Sequence, residues 1–134
     1  MKTNINPVNT NQGRTMGRHR YEDLEVYKRA VDLAVEVSLR TRLYPDFEKY
    51  SLTSQTNRAV YSISNNIAEG AGRNSDKEFD QFLGIALGSA FELDTQLVIS
   101  NKLNYIEESD FMKVSKDLEA IHNMIFGLKR SLKK

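Results

Sequence analysis

Residues Tyr50 to Ala68 read YSLTSQTNRAVYSISNNIA and hold one charged side chain, Arg58. At the chain-wide content of 28% Asp, Glu, Lys and Arg, a stretch of this length would carry about five, placed on the outer face of a surface helix. The stretch is too polar for a membrane span and too long for a strand, so it reads as a helix enclosed by protein on most sides. A single domain of 134 residues has few places to enclose a helix. Self-association is the first inference.

Outward from this helix, apolar residues recur at helical spacing in four blocks, and no alternating run bounded by hairpin turns is found. The expected fold is all-α, an antiparallel up-down four-helix bundle assembled as a homo-oligomer, over residues 21–134. Residues 1–20 are expected to be a flexible basic arm. Asp23 is the expected N-cap of the first helix, which runs to about Leu43 before Pro45 stops the backbone ladder. Two stripes mark this helix: Leu24, Tyr27, Val31, Ala34 and Ser38, and then Val26, Ala30, Leu33 and Val37. It has two faces to bury.

The second helix is expected from Ser51 to Gly70, with Leu52, Ala59, Ile63 and Ile67 facing the core and a left-handed glycine closing it. Ser75 and Glu78 form a capping box for the third helix, expected over Asp76 to about Asn101. Its middle, Phe82 to Phe91, carries no charge. Gly84 and Gly88 each cost about 1 kcal/mol in a helix interior, which points to a close neighbouring backbone. The fourth helix, about Ser109 to Leu132, shows one seam: Phe111, Val114, Leu118, Ile121, Ile125, Leu128 and Leu132.

Chemistry-bearing patterns are few. Cysteine is absent, so disulfides, thiolate nucleophiles and cysteine zinc sites are excluded, in keeping with a cytoplasmic location. No signal-peptide run or membrane span is read from the sequence. Glu119 and His122 match one Glu-x-x-His motif, but a di-iron bundle needs two plus further carboxylates, and both side chains are expected on the surface. Gly70-Ala-Gly72 lacks a preceding strand and a Walker lysine, so helix capping explains it better than phosphate binding. No catalytic residues, metal site or cofactor is expected. The protein reads as a non-enzyme.

Polar residues on the two enclosed helices suggest a network instead. Gln55, Arg58, Ser62, Asn66 and Glu69 share one arc of helix two, and Glu78, Ser89, Glu92 and Gln96 share one of helix three. Arg58 is expected to pair with Glu92 or Glu69, since an isolated buried charge is very costly. Asn57, Tyr61 and Asn65, with Gly84 and Gly88, are the expected subunit interface. The leader carries Lys2, Arg14, Arg18 and Arg20 and no acid. Of 19 basic residues this leaves 15 against 18 acids in the body. Together with Arg73, Lys77, Lys129, Arg130, Lys133 and Lys134, the arm makes up the candidate nucleic-acid-binding set.

Several of these residues carry a resemblance. Tyr21 to Tyr27 (YEDLEVY), Ser51 to Gln55 with Arg58-Ala59, Asn66 to Gly70 (NIAEG) with Gly72-Arg73, and Gly88-Ser89 with Glu92-Leu93 resemble the bacterial four-helix-bundle proteins encoded within 23S rRNA intervening sequences. The resemblance implies a ring-like homopentamer, with a distant likeness to the accessory variability protein of diversity-generating retroelements, and no enzymatic activity. It implies a role as an RNA-associated scaffold or adaptor. The alternative is a module that docks a protein, such as a polymerase or reverse transcriptase, without touching nucleic acid.

Overall fold

A computed structural model describes residues 20–21 and 24–133. It is all-helical, with no strand among the described residues. The helices are α1 (Glu25–Thr41), α2 (Leu52–Ala71), α3 (Asp76–Lys102) and α4 (Glu108–Leu132), with a short 3-10 turn at Asp46–Glu48. Each helix packs on its neighbours in the chain, α1 also packs on α4, and the backbones of the diagonal pairs α1/α3 and α2/α4 do not come within 8 Å among the described residues. Four helices therefore surround one core.

That core follows the sequence stripes. Val26, Ala30, Leu33 and Val37 of α1 meet Ala59, Val60, Ile63 and Ile67 of α2. Phe79, Leu83, Ala86, Ala90, Leu93 and Leu97 of α3 fill the centre against Val114, Leu118, Ile121 and Ile125 of α4. The α4 seam is buried in its middle, and Phe111, Leu128 and Leu132 at its ends are only half-buried. The α1 stripe of Val31, Ala34 and Ser38 turns toward α2, where Ala34 is buried and Val31 and Ser38 are half-exposed.

Helix ends differ from expectation in informative ways. Residue 23, the expected α1 cap, lies outside the described residues, and Leu24 occupies the N-cap position without a side-chain bond. Helix α1 stops at Thr41, two residues early. There Leu43 N–H donates to the Arg40 carbonyl at 3.0 Å and Tyr44 N–H to that of Thr41 at 3.1 Å, tightening the chain to three-residue turns ahead of Pro45. Helix α2 does not end on a left-handed glycine. Gly72 is right-handed at φ −81°, and its N–H donates to the Ala68 carbonyl. The left-handed cap sits instead on Asn104, at φ 64°. Past α3, Tyr105 N–H donates to the Ser100 carbonyl and Asn104 N–H to that of Asn101, a Schellman ending in which asparagine replaces glycine. Ser75 caps α3 as expected, its Oγ accepting from Glu78 N–H at 3.2 Å.

Gly70 has a packing role rather than a capping one. A Cβ at this position would lie 2.6 Å from Phe82 Cβ and 2.9 Å from Phe79 Cδ1. The two aromatic residues set α3 closer to α2 than any side chain on residue 70 permits.

Candidate interaction surfaces

The α2 polar residues divide according to the neighbour they face. Toward α1, Thr41 Oγ1 donates to Asn57 Oδ1 at 3.0 Å and Tyr61 OH to Ser38 Oγ at 3.3 Å. Toward α3, the Ser62 and Ser89 hydroxyls are 2.7 Å apart, and Asn66 Nδ2 donates to both the carbonyl and the hydroxyl of Ser62. Arg58 and Asn65 lie exposed between these two seams. With Ser54, Asn57, Tyr61, Ser62 and Asn66 they line a shallow cleft of about 430 Å³.

The expected network is therefore smaller than the sequence suggested. Ser62, Asn66 and Ser89 join, while Gln55, Arg58, Glu69 and Glu92 are exposed. Arg58 forms no ion pair among the described residues, because Glu69 lies eleven positions away, roughly 16 Å along the axis. Glu69 instead accepts from Arg73 at 2.7 Å, one helical turn on. Glu92 accepts only a long bond, 3.5 Å, from Gln96 Nε2. Gln96 is buried, and Glu78 is exposed.

The glycines of α3 find no close partner inside the subunit. No backbone approaches them within the subunit: Gly88 is open, with nothing within 4 Å of a built Cβ, and Gly84 meets only Lys129 Nζ at 3.7 Å. They belong to an outward stripe on which Ile85, Phe91, Val98 and Ile99 are 52%, 50%, 42% and 42% exposed. Glu92 is the one charge among the exposed residues from Gln81 to Ile99. Helix α3 is also long and apolar enough to cross a membrane by length and composition alone, which the sequence reading had denied to every segment. About a third of that apolar window, 33%, is buried in the bundle, and the outward stripe contributes exposed apolar residues to it.

A second apolar surface lies in the groove between α1 and α2. Val31, Ala34, Val35 and Leu39 line it with Tyr61, and Arg42 stands at its rim. The α1/α4 side is different in kind. Arg40 binds Glu36 at 2.7 Å and Asp110 at 3.4 Å, and Lys113 lies within 3.5 Å of Glu36 and 3.3 Å of Asp117. The Lys113 ammonium is held above its ordinary value, first by its hydrogen bond to Asp117 and then by the charges of Asp117 and Glu36. This side is a seam of mutually paired charges, with Arg40 Nε buried and left without a hydrogen bond among the described residues.

Two candidate nucleic-acid contacts are engaged inside the subunit. Lys129 Nζ sits 3.0 Å from Asp80 Oδ1 and donates to the Asp80 carbonyl, tying the end of α4 to the start of α3. Arg73 pairs with Glu69 and stacks 4.8 Å from the Phe82 ring centre. Lys77, Arg130 and Lys133 are exposed with no ion pair among the described residues, and Arg20 is exposed. Lys2, Arg14, Arg18 and Lys134 lie outside the described residues.

His122 corrects another expectation. Its ring lies 4.7 Å from that of Phe91, half-buried, with Nε2 shielded and unpartnered; Glu119 is exposed. An aromatic neighbour on α3 holds the imidazole inward, a contact that no wheel of α4 alone reveals. Among the described residues, no three His, Asp or Glu side chains cluster closely enough to hold a metal.

Comparison with protein families matches residues 22–127 to the 23S rRNA-intervening sequence protein model. The chain belongs to that family. Among solved structures it is similar to a protein of unknown function from the S23 ribosomal protein family of Bacteroides thetaiotaomicron VPI-5482. The TM-score is 0.73 at 23% identity, over 78% of this chain and 95% of the other. The shared feature is the helical fold. No curated protein matches. The matched region takes in α1, α2, α3 and most of α4, and begins after residues 1–20.

Proposed function

We propose that this intervening-sequence family member is a non-enzymatic, cytoplasmic scaffold associated with RNA, working as a homopentameric ring of antiparallel up-down bundles. The observation that carries the assembly is the outward stripe of α3, whose half-exposed Ile85, Phe91, Val98 and Ile99 form an apolar patch of the kind that marks interaction sites. The number five comes from the family resemblance. Support for the antiparallel course lies in the pairings Ser38/Tyr61 and Thr41/Asn57, Ser62/Ser89 and Gly70/Phe79, Asp80/Lys129 and Phe91/His122, and Glu36/Lys113 and Arg40/Asp110. In successive pairs between two helices, one residue number rises as the other falls. Light scattering is expected to give a mass near five times the 15.3 kDa chain; the mass of one chain across micromolar concentrations overturns the assembly.

The RNA association rests on the arm charges together with Lys77, Arg130 and Lys133. Affinity for a structured RNA falls with salt, and deleting residues 1–20 lowers the log-log slope by about 3 for each subunit engaged. A salt-independent affinity contradicts it. A second reading, docking of a protein partner, is favoured by one observation: Leu43, Phe47 and Tyr50 are all exposed in the α1–α2 connection. Recovery of a polymerase but no RNA from a native-host pull-down selects that reading.

A further inference from the structure

The two uncovered apolar surfaces are unlike each other. On α3, Ile85, Gly88, Glu92, Thr95 and Ile99 are all exposed and fall at intervals of three, four, three and four, which is the spacing of a coiled-coil seam. This is a ridge, flattened at Gly88 where no atom stands within 4 Å of a built Cβ, and its central residue is an acid. Between α1 and α2 the surface is a groove of about 270 Å³, lined by Val31, Val35, Leu39 and Tyr61. Its charges are basic: Arg42 lies at one edge and Arg58 is beside Tyr61 in the adjoining cleft. Neither arginine forms an ion pair among the described residues. Glu92 meets no cation among the described residues.

Charge decides how such surfaces meet. A two-fold contact of the ridge with itself, centred on its middle, brings the two Glu92 carboxylates together as apolar side chains around them exclude water. Like charges placed in that setting are strongly unfavourable. Pairing the groove with itself gathers Arg42 and Arg58 from both copies and fails for the same reason. Ridge against groove matches acid to base and a convex helix face to a concave one. The ridge residues of α3 are exposed and its backbone does not approach that of α1, so the ridge does not fill the groove of its own chain.

We infer that the α3 ridge of one copy seats in the α1/α2 groove of the next, with Glu92 facing Arg42 and Arg58 of the partner subunit. This contact is heterologous: each copy gives one surface and receives at the other. Such contacts propagate and close as a cyclic ring when the rotation permits, whereas a two-fold contact stops at a dimer. The inference rests on the self-assembly proposed above and specifies its surfaces.

The test is a mixing experiment with two blocked variants of the full chain, one carrying I85E and I99E on the ridge, the other V35E and L39E in the groove. All four positions are about half-exposed, and circular dichroism verifies that each variant keeps its helices. Sedimentation of either variant alone is expected to give a 15.3 kDa species, and a one-to-one mixture a two-chain species that grows no further. The intact groove of one variant receives the intact ridge of the other. An assembling wild type whose blocked variants stay monomeric on mixing, or assemble unmixed, overturns the ridge-and-groove contact and leaves self-assembly standing. A monomeric wild type overturns both. Charge exchange gives an independent reading: E92R alone, and R42E with R58E alone, each weaken association at least tenfold, and combining all three restores it. Failure to restore contradicts the pairing.

Discussion

Helices α3 and α4 are neighbours of similar length, 27 and 25 residues, yet they face solvent in opposite ways. Helix α4 buries Val114, Leu118, Ile121 and Ile125 and presents Lys113, Lys116, Glu119 and Arg130 outward. Helix α3 buries an equivalent seam and then presents a second one, with Glu92 as its only charge. A helix with one apolar stripe completes its packing inside the subunit. A helix with two has a partner still to find, and the charges missing from its outer face locate that partner's footprint.

The comparison breaks most forcefully on the inner seam. Ile121 is fully buried, and Ile121→Ala is expected to cost about 2–5 kcal/mol through lost burial and a cavity, measured by urea unfolding. A loss below about 1 kcal/mol places Ile121 at a site that collapses freely. On the outer seam, Ile99→Glu is expected to abolish assembly while leaving helix content unchanged. Loss of helix instead would return the α3 stripe to the subunit core.

Gly70→Ala comes next. The added methyl meets Phe82 and Phe79 within 3 Å, and overpacking at a close crossing costs about 1–3 kcal/mol, more than the roughly 1 kcal/mol that alanine gains as a helix former. Net destabilisation in thermal melts supports a packing role for this glycine. A higher melting temperature removes it. Lys129→Ala, which cuts the half-buried bridge to Asp80, is expected to cost about 1 kcal/mol. The smallest effect belongs to the solvated face of α4, where Glu119→Ala should stay within about 0.5 kcal/mol.

Much of the subunit was legible in the residues. Apolar spacing located all four helices and most of the core, and Ser75 with Glu78 marked the start of α3, because burial and capping act through local periodicity. Pairings across helices were not legible. Arg58 was assigned to Glu92 or Glu69 from helical arcs without regard to axial distance, while Arg73, one turn from Glu69, took that carboxylate and Glu92 stays exposed. His122 depended on Phe91 in another helix. Glycine was read as a left-handed stop after α2, whereas close approach of Phe79 and Phe82 explains Gly70 and the left-handed residue is Asn104. The scarcity of charge in α2 and α3 was visible at once. Which apolar residues stay exposed, Ile85, Phe91, Val98 and Ile99 on α3 and Val35 and Leu39 on α1, required the bundle geometry.

Sedimentation velocity of the wild-type chain beside the I85E/I99E variant, across micromolar concentrations, tests the second seam most directly. A wild-type assembly of several chains, reduced to 15.3 kDa in the variant with its helix content intact, is the predicted result. A wild type that sediments as one chain throughout would contradict it.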